Sequence, residues 1–328
     1  MKIIITGGAG YIGSNVALYL MDSGHDVTII DDLSTGNKNL IPPNANFVQC
    51  NINNFQKIDE IFRNEKFSAL MHFAGFIEVE ESVANPEKYF TNNFENSIKL
   101  FEICAKNNLL NIIFSSTAAV YGDVKTDGLI SEKIIPKPIN PYGESKHNVE
   151  KYLLNNNDKF KSIILRYFNV AGADAKLRSG LISKKATHLV KIASEAAVGK
   201  REDVTIYGND YKTSDGTAIR DYIHVSDLAE IHLKSLELLI KKQETLVMNC
   251  GYGVGYSVKE VLDKFNEISK NKIKVKYGNR RSGDSAMLVS DISKINKMIN
   301  WAPKYNNLDY IIKTSIEWEE KLKNEKFS

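Results

Sequence analysis

Cysteine is scarce in this chain. Its 328 residues include 3 cysteines, Cys50, Cys104 and Cys250. Their odd number and wide spacing exclude a disulfide framework or a paired-cysteine zinc site and fit buried, reduced thiols. Long apolar runs are missing too: no stretch approaches the roughly 18 apolar residues of a membrane helix. The opening Met1-Lys2-Ile3-Ile4-Ile5 is too short an apolar run for a signal peptide. There is little excess of charge, since 43 basic residues against 40 acidic ones leave +3. That balance points to neither a nucleic-acid nor a membrane partner. His25, His72, His147, His188, His224 and His232 have no metal-ligand spacing with acids or cysteines. No G-x-S-x-G, no phosphate-loop lysine motif, no repeat and no low-complexity linker appears. With 25% charged and 43% hydrophobic residues, the chain is expected to be a soluble, cytoplasmic globular protein. Its length suits about two units of roughly 150 residues each.

The first half alternates short β-branched runs with helical patterns, as βαβ units and a parallel sheet require. Strands are expected at Lys2–Thr6, Asp26–Ile30, Phe47–Cys50, Ala69–Phe73, Asn111–Ser115 and Ser162–Tyr167. Helices are expected at Tyr11–Ser23 and around 55–65, 93–107 and 143–155. Continuous apolar strands suit a sheet covered on both faces. After about Asn169 the pattern loosens, and Ser257-Val258-Lys259-Glu260 forms a capping-box signal for a helix to about Ser269. The expected fold is α/β: a Rossmann-type doubly wound parallel sheet in residues 1–170, with a smaller α/β substrate-binding domain in 171–328. A helix near 226–239 is expected to return to the first domain.

Between the first strand and first helix lies Thr6-Gly7-Gly8-Ala9-Gly10-Tyr11-Ile12-Gly13. Glycines there permit a tight turn, close backbone approach to a pyrophosphate, and helix–strand packing; the helix N-terminus offers N–H groups to the anion. Asp31 and Asp32 end the second strand at the separation expected of a dinucleotide site. A carboxylate there accepts from a ribose 2′-hydroxyl and repels a 2′-phosphate, so NAD is the expected cofactor. The alternative for Asp32 is a turn residue before Leu33-Ser34-Thr35-Gly36.

Pro141-Tyr142-Gly143-Glu144-Ser145-Lys146 holds a second informative spacing. Tyr142 and Lys146, four apart on a helix, share a face. A nearby ammonium is expected to lower the phenol's pKa and make Tyr142 a base for a sugar hydroxyl. Alone, this pair is commonly a surface accident; downstream of a nucleotide loop it is a candidate for catalysis. Thr117, at the end of Phe114-Ser115-Ser116-Thr117, is placed to hydrogen-bond the reacting oxygen or to serve as a strand-end hydroxyl.

With these residues in hand, the chain resembles the extended short-chain dehydrogenase/reductases and, within them, the UDP-glucose 4-epimerase (UDP-galactose 4-epimerase) family. The resemblance runs through Thr6–Gly13, His72–Gly75, Asn92-Asn93, Ser115–Gly122, Tyr142–Lys146, Arg166–Asn169, Gly208–Tyr211, Arg220–Val225 and Arg280–Asp284. It implies tightly held NAD that is reduced and re-oxidised in each turnover. UDP-glucose and UDP-galactose would be interconverted by oxidation at C4, rotation of the 4-keto sugar and re-reduction from the opposite face. Tyr142 would be the base, Lys146 its tuner and ribose anchor, and Thr117 the hydroxyl at O4. The implied cofactor site is Gly7, Gly10, Tyr11, Ile12, Gly13, Asp31, Asp32, Asn51, Ile52, Phe73, Ala74, Gly75, Asn92, Ser115, Tyr142, Lys146 and Tyr167. The implied substrate site is Thr117, Tyr142, Asn169, Tyr207, Arg220, Tyr222, Arg281, Asp284 and Leu288, with no metal. Asn169, Arg220 and Arg281 would grip the diphosphate, Asp284 the uridine ribose, and Leu288 would stand at the gate beside the hexose.

The chain departs from the family at Asn51, where familiar members have an Asp for the adenine amino group, and at Ile77, where they have a Lys. Related readings are a UDP-N-acetylglucosamine 4-epimerase, a 4,6-dehydratase or decarboxylase, and a non-catalytic NAD sensor. Ala118-Ala119 after Thr117 lack the acid–base pair of a dehydratase, and the intact Thr117, Tyr142 and Lys146 weigh against a sensor. The apolar residues Phe94, Ile98, Leu100, Phe101, Ile103 and Ala105 cover more than one side of the 93–107 helix, and the resemblance implies a homodimer through it.

Overall fold

The computed structural model describes residues 1–124, 128–183, 185–281 and 284–325. Ser282 and Gly283 of the Arg280–Asp284 stretch lie outside them. In chain order the elements are β1 (Lys2–Thr6), α1 (Tyr11–Asp22), β2 (Asp26–Asp31), β3 (Asn46–Gln49), α2 (Phe55–Asn64) and β4 (Ala69–His72). Then come α3 (Val79–Ala84), α4 (Pro86–Tyr89), α5 (Asn96–Lys106), β5 (Asn111–Thr117), α6 (Pro141–Asn155), β6 (Lys161–Tyr167) and β7 (Asn169–Ala171). The chain continues through α7 (Leu189–Ala197), β8 (Asp203–Tyr207), β9 (Ile219–His224), α8 (Val225–Lys242), β10 (Leu246–Cys250) and β11 (Gly255–Ser257). It ends with α9 (Val258–Ile268), β12 (Lys274–Gly278), β13 (Met287–Leu288), α10 (Ser293–Ile299) and α11 (Leu308–Asn324). Among the described residues no helix is long and apolar enough to cross a membrane.

The main sheet has seven parallel strands in the order β10-β6-β5-β4-β1-β2-β3. The middles of its inner strands are apolar because both faces are covered. Ile3 and Ile5 point into one core with Val16, Leu20, Ile231 and Leu239, while Ile4 points into the other with Leu100, Phe101, Val149 and Leu153. Strand order reverses between β1 and β4, and ligands of such sheets bind at the carboxyl ends beside that reversal. A second sheet is built on β9, with β11, β13 and β7 as partners, and β8 pairs with β12.

Most expected elements appear within a residue or two of their ends. The Ser257–Glu260 capping box is formed, with Glu260 N–H donating to Ser257 Oγ at 3.0 Å and Ser257 N–H to Glu260 Oε2 at 2.6 Å. β5 runs two residues further than expected, because Ser116 and Thr117 pair with Arg166 and Tyr167 of β6. α6 starts two residues earlier, with Asn140 accepting from Gly143 N–H at 2.8 Å, so Tyr142 lies in its first turn. In place of one helix over 93–107, residues 90–95 form a wider π-type turn ahead of α5.

Three histidines are buried and hydrogen-bonded: His72 to Thr6 and Ser97, His224 to Thr314 and Ser226, and His232 to Tyr167 and Leu228. Burial holds His72 down to about 3 and His224 and His232 down to about 4. A histidine depressed in the folded chain takes up protons on unfolding below its ordinary pKa of about 6.5. Its stabilisation is therefore complete above that pH and is lost as pH falls toward the folded value. Each such group costs up to about 1.4 kcal/mol per pH unit. Thermal melts should show Tm falling steadily from pH 7 to pH 5; a flat profile over that window would contradict neutral burial.

Candidate active site

The loops after β1 and β4 meet at the sheet reversal, and glycine makes the contact possible. Gly7 has φ +73°, and a Cβ there would lie 2.6 Å from Ala74 N and 2.8 Å from the Phe73 carbonyl carbon. Phe73 and Ala74 N–H groups both donate to Thr6 O, at 2.9 and 3.1 Å. In the first turn of α1, a Cβ on Gly13 would stand 2.3 Å from Gly7 O. Gly10 is the N-cap of α1 and offers no side-chain cap, which leaves the helix N-terminus to an external anion. Ile12 follows in the same turn. Tyr11 donates its hydroxyl to Gly172 O at 2.6 Å.

Asp31 braces the cradle. Its carboxylate accepts from Ala9 N–H at 3.0 Å and Leu33 N–H at 2.8 Å, and burial pushes its pKa up against those two donors. Asp32 accepts from Ser34 N–H at 2.9 Å and from the Asn51 side-chain amide. The Asn51 amide oxygen already takes Asn53 N–H at 2.9 Å, leaving it one lone pair for an adenine amino group. Ile52 beside it is buried. The cradle a Cβ would fill, the uncapped helix and the acidic end of β2 together suit a dinucleotide.

Lys146 is buried at 3% exposure and donates to Ser115 O at 2.9 Å, with its Nζ 5.0 Å from the Phe114 ring centre. Burial lowers it to about 8, while Glu150 pulls the other way. A Cβ on Gly75 would lie 3.3 Å from Lys146 Nζ and 3.2 Å from Asn93 Oδ1. Thr117, whose Oγ1 accepts Ala119 N–H at 3.1 Å, is near enough to Tyr142 to favour its phenolate. The expected lowering of the Tyr142 pKa is not what the chain produces. Burial raises it, only the Thr117 bond offsets this, and the Lys146 ammonium is committed to Ser115 O. Thr117 is thus both strand-end cap and partner of the phenol.

Asn169, Arg220, Tyr222 and Leu288 lie on the second sheet, Tyr207 at the end of β8, and Arg281 and Asp284 outside the strands. In register, Asn169 lies beside Tyr222, and Arg220 beside Leu288. Arg220 pairs with Asp284, and the Arg281 guanidinium lies 4.1 Å from the centre of the Tyr207 ring. Leu288 packs on the cluster of Ala118, Val120, Tyr121, Ile130 and Phe168, directly beyond Thr117. Tyr167 is brought to β6 but turns inward: its hydroxyl meets His232 Nε2 at 2.6 Å.

Sequence reasoning assigned Asn92 but not Asn93. Asn93 is fully buried and ties Phe76 N–H (2.8 Å) and Phe76 O (2.9 Å) to Asn92 and Ser145 beneath the Lys146 pocket. The Asn92-Asn93 pair was its only signal. The buried Glu150–Arg166 pair under β5 also went unassigned, since a helix Glu and a strand Arg carry no motif spacing.

Comparison with known proteins follows the same geometry. Residues 3–251 match the NAD dependent epimerase/dehydratase family. A UDP-glucose 4-epimerase of Azospirillum brasilense is 43% identical over 323 residues, covering 98% of this chain and 92% of that protein. Among solved structures, the UDP-Glc/GlcNAc 4-epimerase of Campylobacter jejuni is 44% identical with a TM-score of 0.85, covering 98% of this chain and 99% of that one. The UDP-glucose-4-epimerase of Stenotrophomonas maltophila, with bound NAD and formylated UDP-arabinopyranose, superposes with a TM-score of 0.95 at 30% identity, covering 99% of both chains. The glycine cradle, the Tyr142–Lys146 helix and these end-to-end likenesses lead to one conclusion: the chain belongs to the NAD dependent epimerase/dehydratase family.

Proposed function

We propose that this protein interconverts UDP-glucose and UDP-galactose as an NAD-dependent isomerase. The observation that carries this reading is the Tyr142 hydroxyl against Thr117 with Lys146 buried below, all beside the Gly7–Ala74 contact. The named relatives of Azospirillum brasilense and Campylobacter jejuni support the substrate class. NAD, when bound, supplies the oxidation and the re-reduction at sugar C4. The chain's own work is to bind, orient and move a proton. Tyr142 takes the proton of the sugar 4-hydroxyl and later returns it, with Thr117 holding the oxygen. The Thr117 hydroxyl offsets part of the Tyr142 burial penalty, while Lys146, held by Ser115 O, keeps a positive charge one helical turn away and anchors the cofactor ribose. Arg220 and Arg281 hold the diphosphate as multi-donor cations, Asp284 and Tyr207 the uridine end, and the 4-keto sugar turns over between them.

Residues 1–170 serve the cofactor in this proposal and 171–328 the UDP-sugar. Packing of α8 on α1, β5 and β6, and pairing of β10 with β6, support counting those two elements with the cofactor half. Free, buried Cys50, Cys104 and Cys250 suit the reducing cytoplasm. A homodimer is supported by α5 and the turn before it: Leu100, Phe101 and Cys104 enter the chain's own core, while Phe94 of the turn and Ile98, Ile103 and Ala105 of α5 remain half-buried.

A second reading, activity on N-acetylated sugars, is favoured by the Campylobacter jejuni UDP-Glc/GlcNAc enzyme and by Leu288. Leu is smaller than the Tyr and larger than the Cys found at the hexose gate in the resembling family. Pressing an acetamido group against it costs on the order of 1–3 kcal/mol, about a 10–200-fold penalty.

Incubation with UDP-galactose without added NAD should yield UDP-glucose, and Tyr142→Phe should lower turnover at least about 100-fold while UDP still binds. Near-normal turnover in that variant would remove Tyr142 from the mechanism. The kcat/KM for N-acetylated sugars should be lower than for UDP-glucose and UDP-galactose, and lower still in Leu288→Tyr. Equal N-acetyl activity in the two proteins would show that Leu288 is not the gate. Sedimentation at micromolar concentration should give a dimer, and a monomer alone would count against the α5 interface.

A further inference from the structure

Directly beneath the catalytic candidates lies a buried carboxylate that the mechanism above does not use. Glu150 is fully buried on α6, four residues beyond Lys146 and eight beyond Tyr142, along one side of the helix. Its Oε1 accepts from Ser116 Oγ at 2.5 Å and Arg166 Nε at 2.9 Å, and its Oε2 from the second Arg166 nitrogen at 2.6 Å. His147 Nδ1 stands 3.3 Å from Oε2. Ser116 and Arg166 are themselves register partners on β5 and β6. The Arg166 guanidinium lies 4.8 Å from the centre of the Tyr121 ring, in the turn that follows Thr117. Ser116 has on one side Ser115, whose carbonyl holds Lys146, and on the other Thr117, which meets Tyr142.

We propose that Glu150 is a positioning residue for the reaction: bound to Ser116 and Arg166, it locks the end of β5 against α6 so that Thr117, Tyr142 and Lys146 stay together, and it supplies the negative charge one helical turn from Lys146. The proposal rests on the reading of Tyr142 and Lys146 given above. Among the described residues Lys146 makes no ion pair: Ser115 O accepts from it, the Phe114 ring lies 5.0 Å away, and Gly75 and Asn93 line its pocket, so Glu150, one helical turn further along α6, is the acid whose charge favours its ammonium. Glu150 itself stays ionised, since His147, Arg166 and Ser116 donors outweigh its burial. Breaking a buried pair strands a charge, whereas replacing both members by uncharged groups is tolerated.

The test uses Glu150→Gln and, should that variant fail to fold, Glu150→Gln/Arg166→Met. We expect kcat to fall about 10–100-fold, as small misplacements of reacting groups do, with KM for UDP-galactose changed less than about twofold. The alkaline limb of the kcat profile, where the Lys146 ammonium loses its proton, should move to lower pH by about one unit. In ¹³Cε-lysine-labelled protein, the Lys146 resonance, assigned by its absence in Lys146→Arg, should titrate with its midpoint lowered by the same amount. A folded variant with wild-type kcat and a wild-type Lys146 midpoint overturns the proposal. A wild-type protein inactive on every UDP-sugar would defeat the reading of function, while the lysine titration would still decide the role of Glu150.

Discussion

A lysine ammonium taken out of water must be given partners, and the folded chain does this for Lys146 with parts of several elements. The Ser115 carbonyl at the end of β5 receives one N–H, the Phe114 ring lies alongside, and the charge of Glu150, one turn further along α6, favours the ammonium from a distance. Each partner is held by the large sheet or by the helix packed on it. Burial costs the ammonium part of its basicity, and these contacts limit the loss. The position of Tyr142 follows, because it shares the helix face of Lys146 and has Thr117 as its neighbour. Moving α6 relative to β5 would disturb all of them at once.

The same site depends on how closely backbone approaches backbone at the sheet reversal. Parallel order brings β1 and β4 side by side, and only a residue without Cβ lets the two following loops touch. Gly13 closes α1 onto Gly7 in the same way, which points the first turn of the helix at the space above the sheet. The charged end of β2 then meets that space from the side, with Asp31 spending hydrogen bonds on the loop itself. Cradle, acid and buried lysine thus converge on the carboxyl edge of one sheet, and the second sheet brings Asn169, Arg220, Tyr222 and Leu288 toward it.

Much of this was legible in the chain. Apolar strands alternating with helical patterns announced a two-sided parallel sheet, and the glycine spacing, Asp31 and the Tyr142–Lys146 interval each stood where a local rule places them. What escaped had no local signature. Asn93 works through Phe76 and Ser145, far apart in sequence. Glu150 and Arg166 look like ordinary residues of a helix and a strand until strand register sets Arg166 beside Ser116. Tyr167, expected as a cofactor contact, also meets His232 from a helix sixty-odd residues later, a partner no local spacing announces.

By itself the sequence determined which elements form, where the phosphate-binding turn lies, and which side chains share a helix face, because those depend on spacing and backbone freedom within a few residues. Only the tertiary structure decided the electrostatics. Tyr142 was expected to be acidified by its neighbour, but burial raises it, and the Lys146 ammonium donates to a strand carbonyl. Asn51 donates its amide N–H to Asp32 and accepts Asn53 N–H with one of the two lone pairs of its oxygen. Solvent exclusion and hydrogen-bond partners come from segments distant in the chain, and a pKa or a free lone pair is set by those surroundings rather than by residue type.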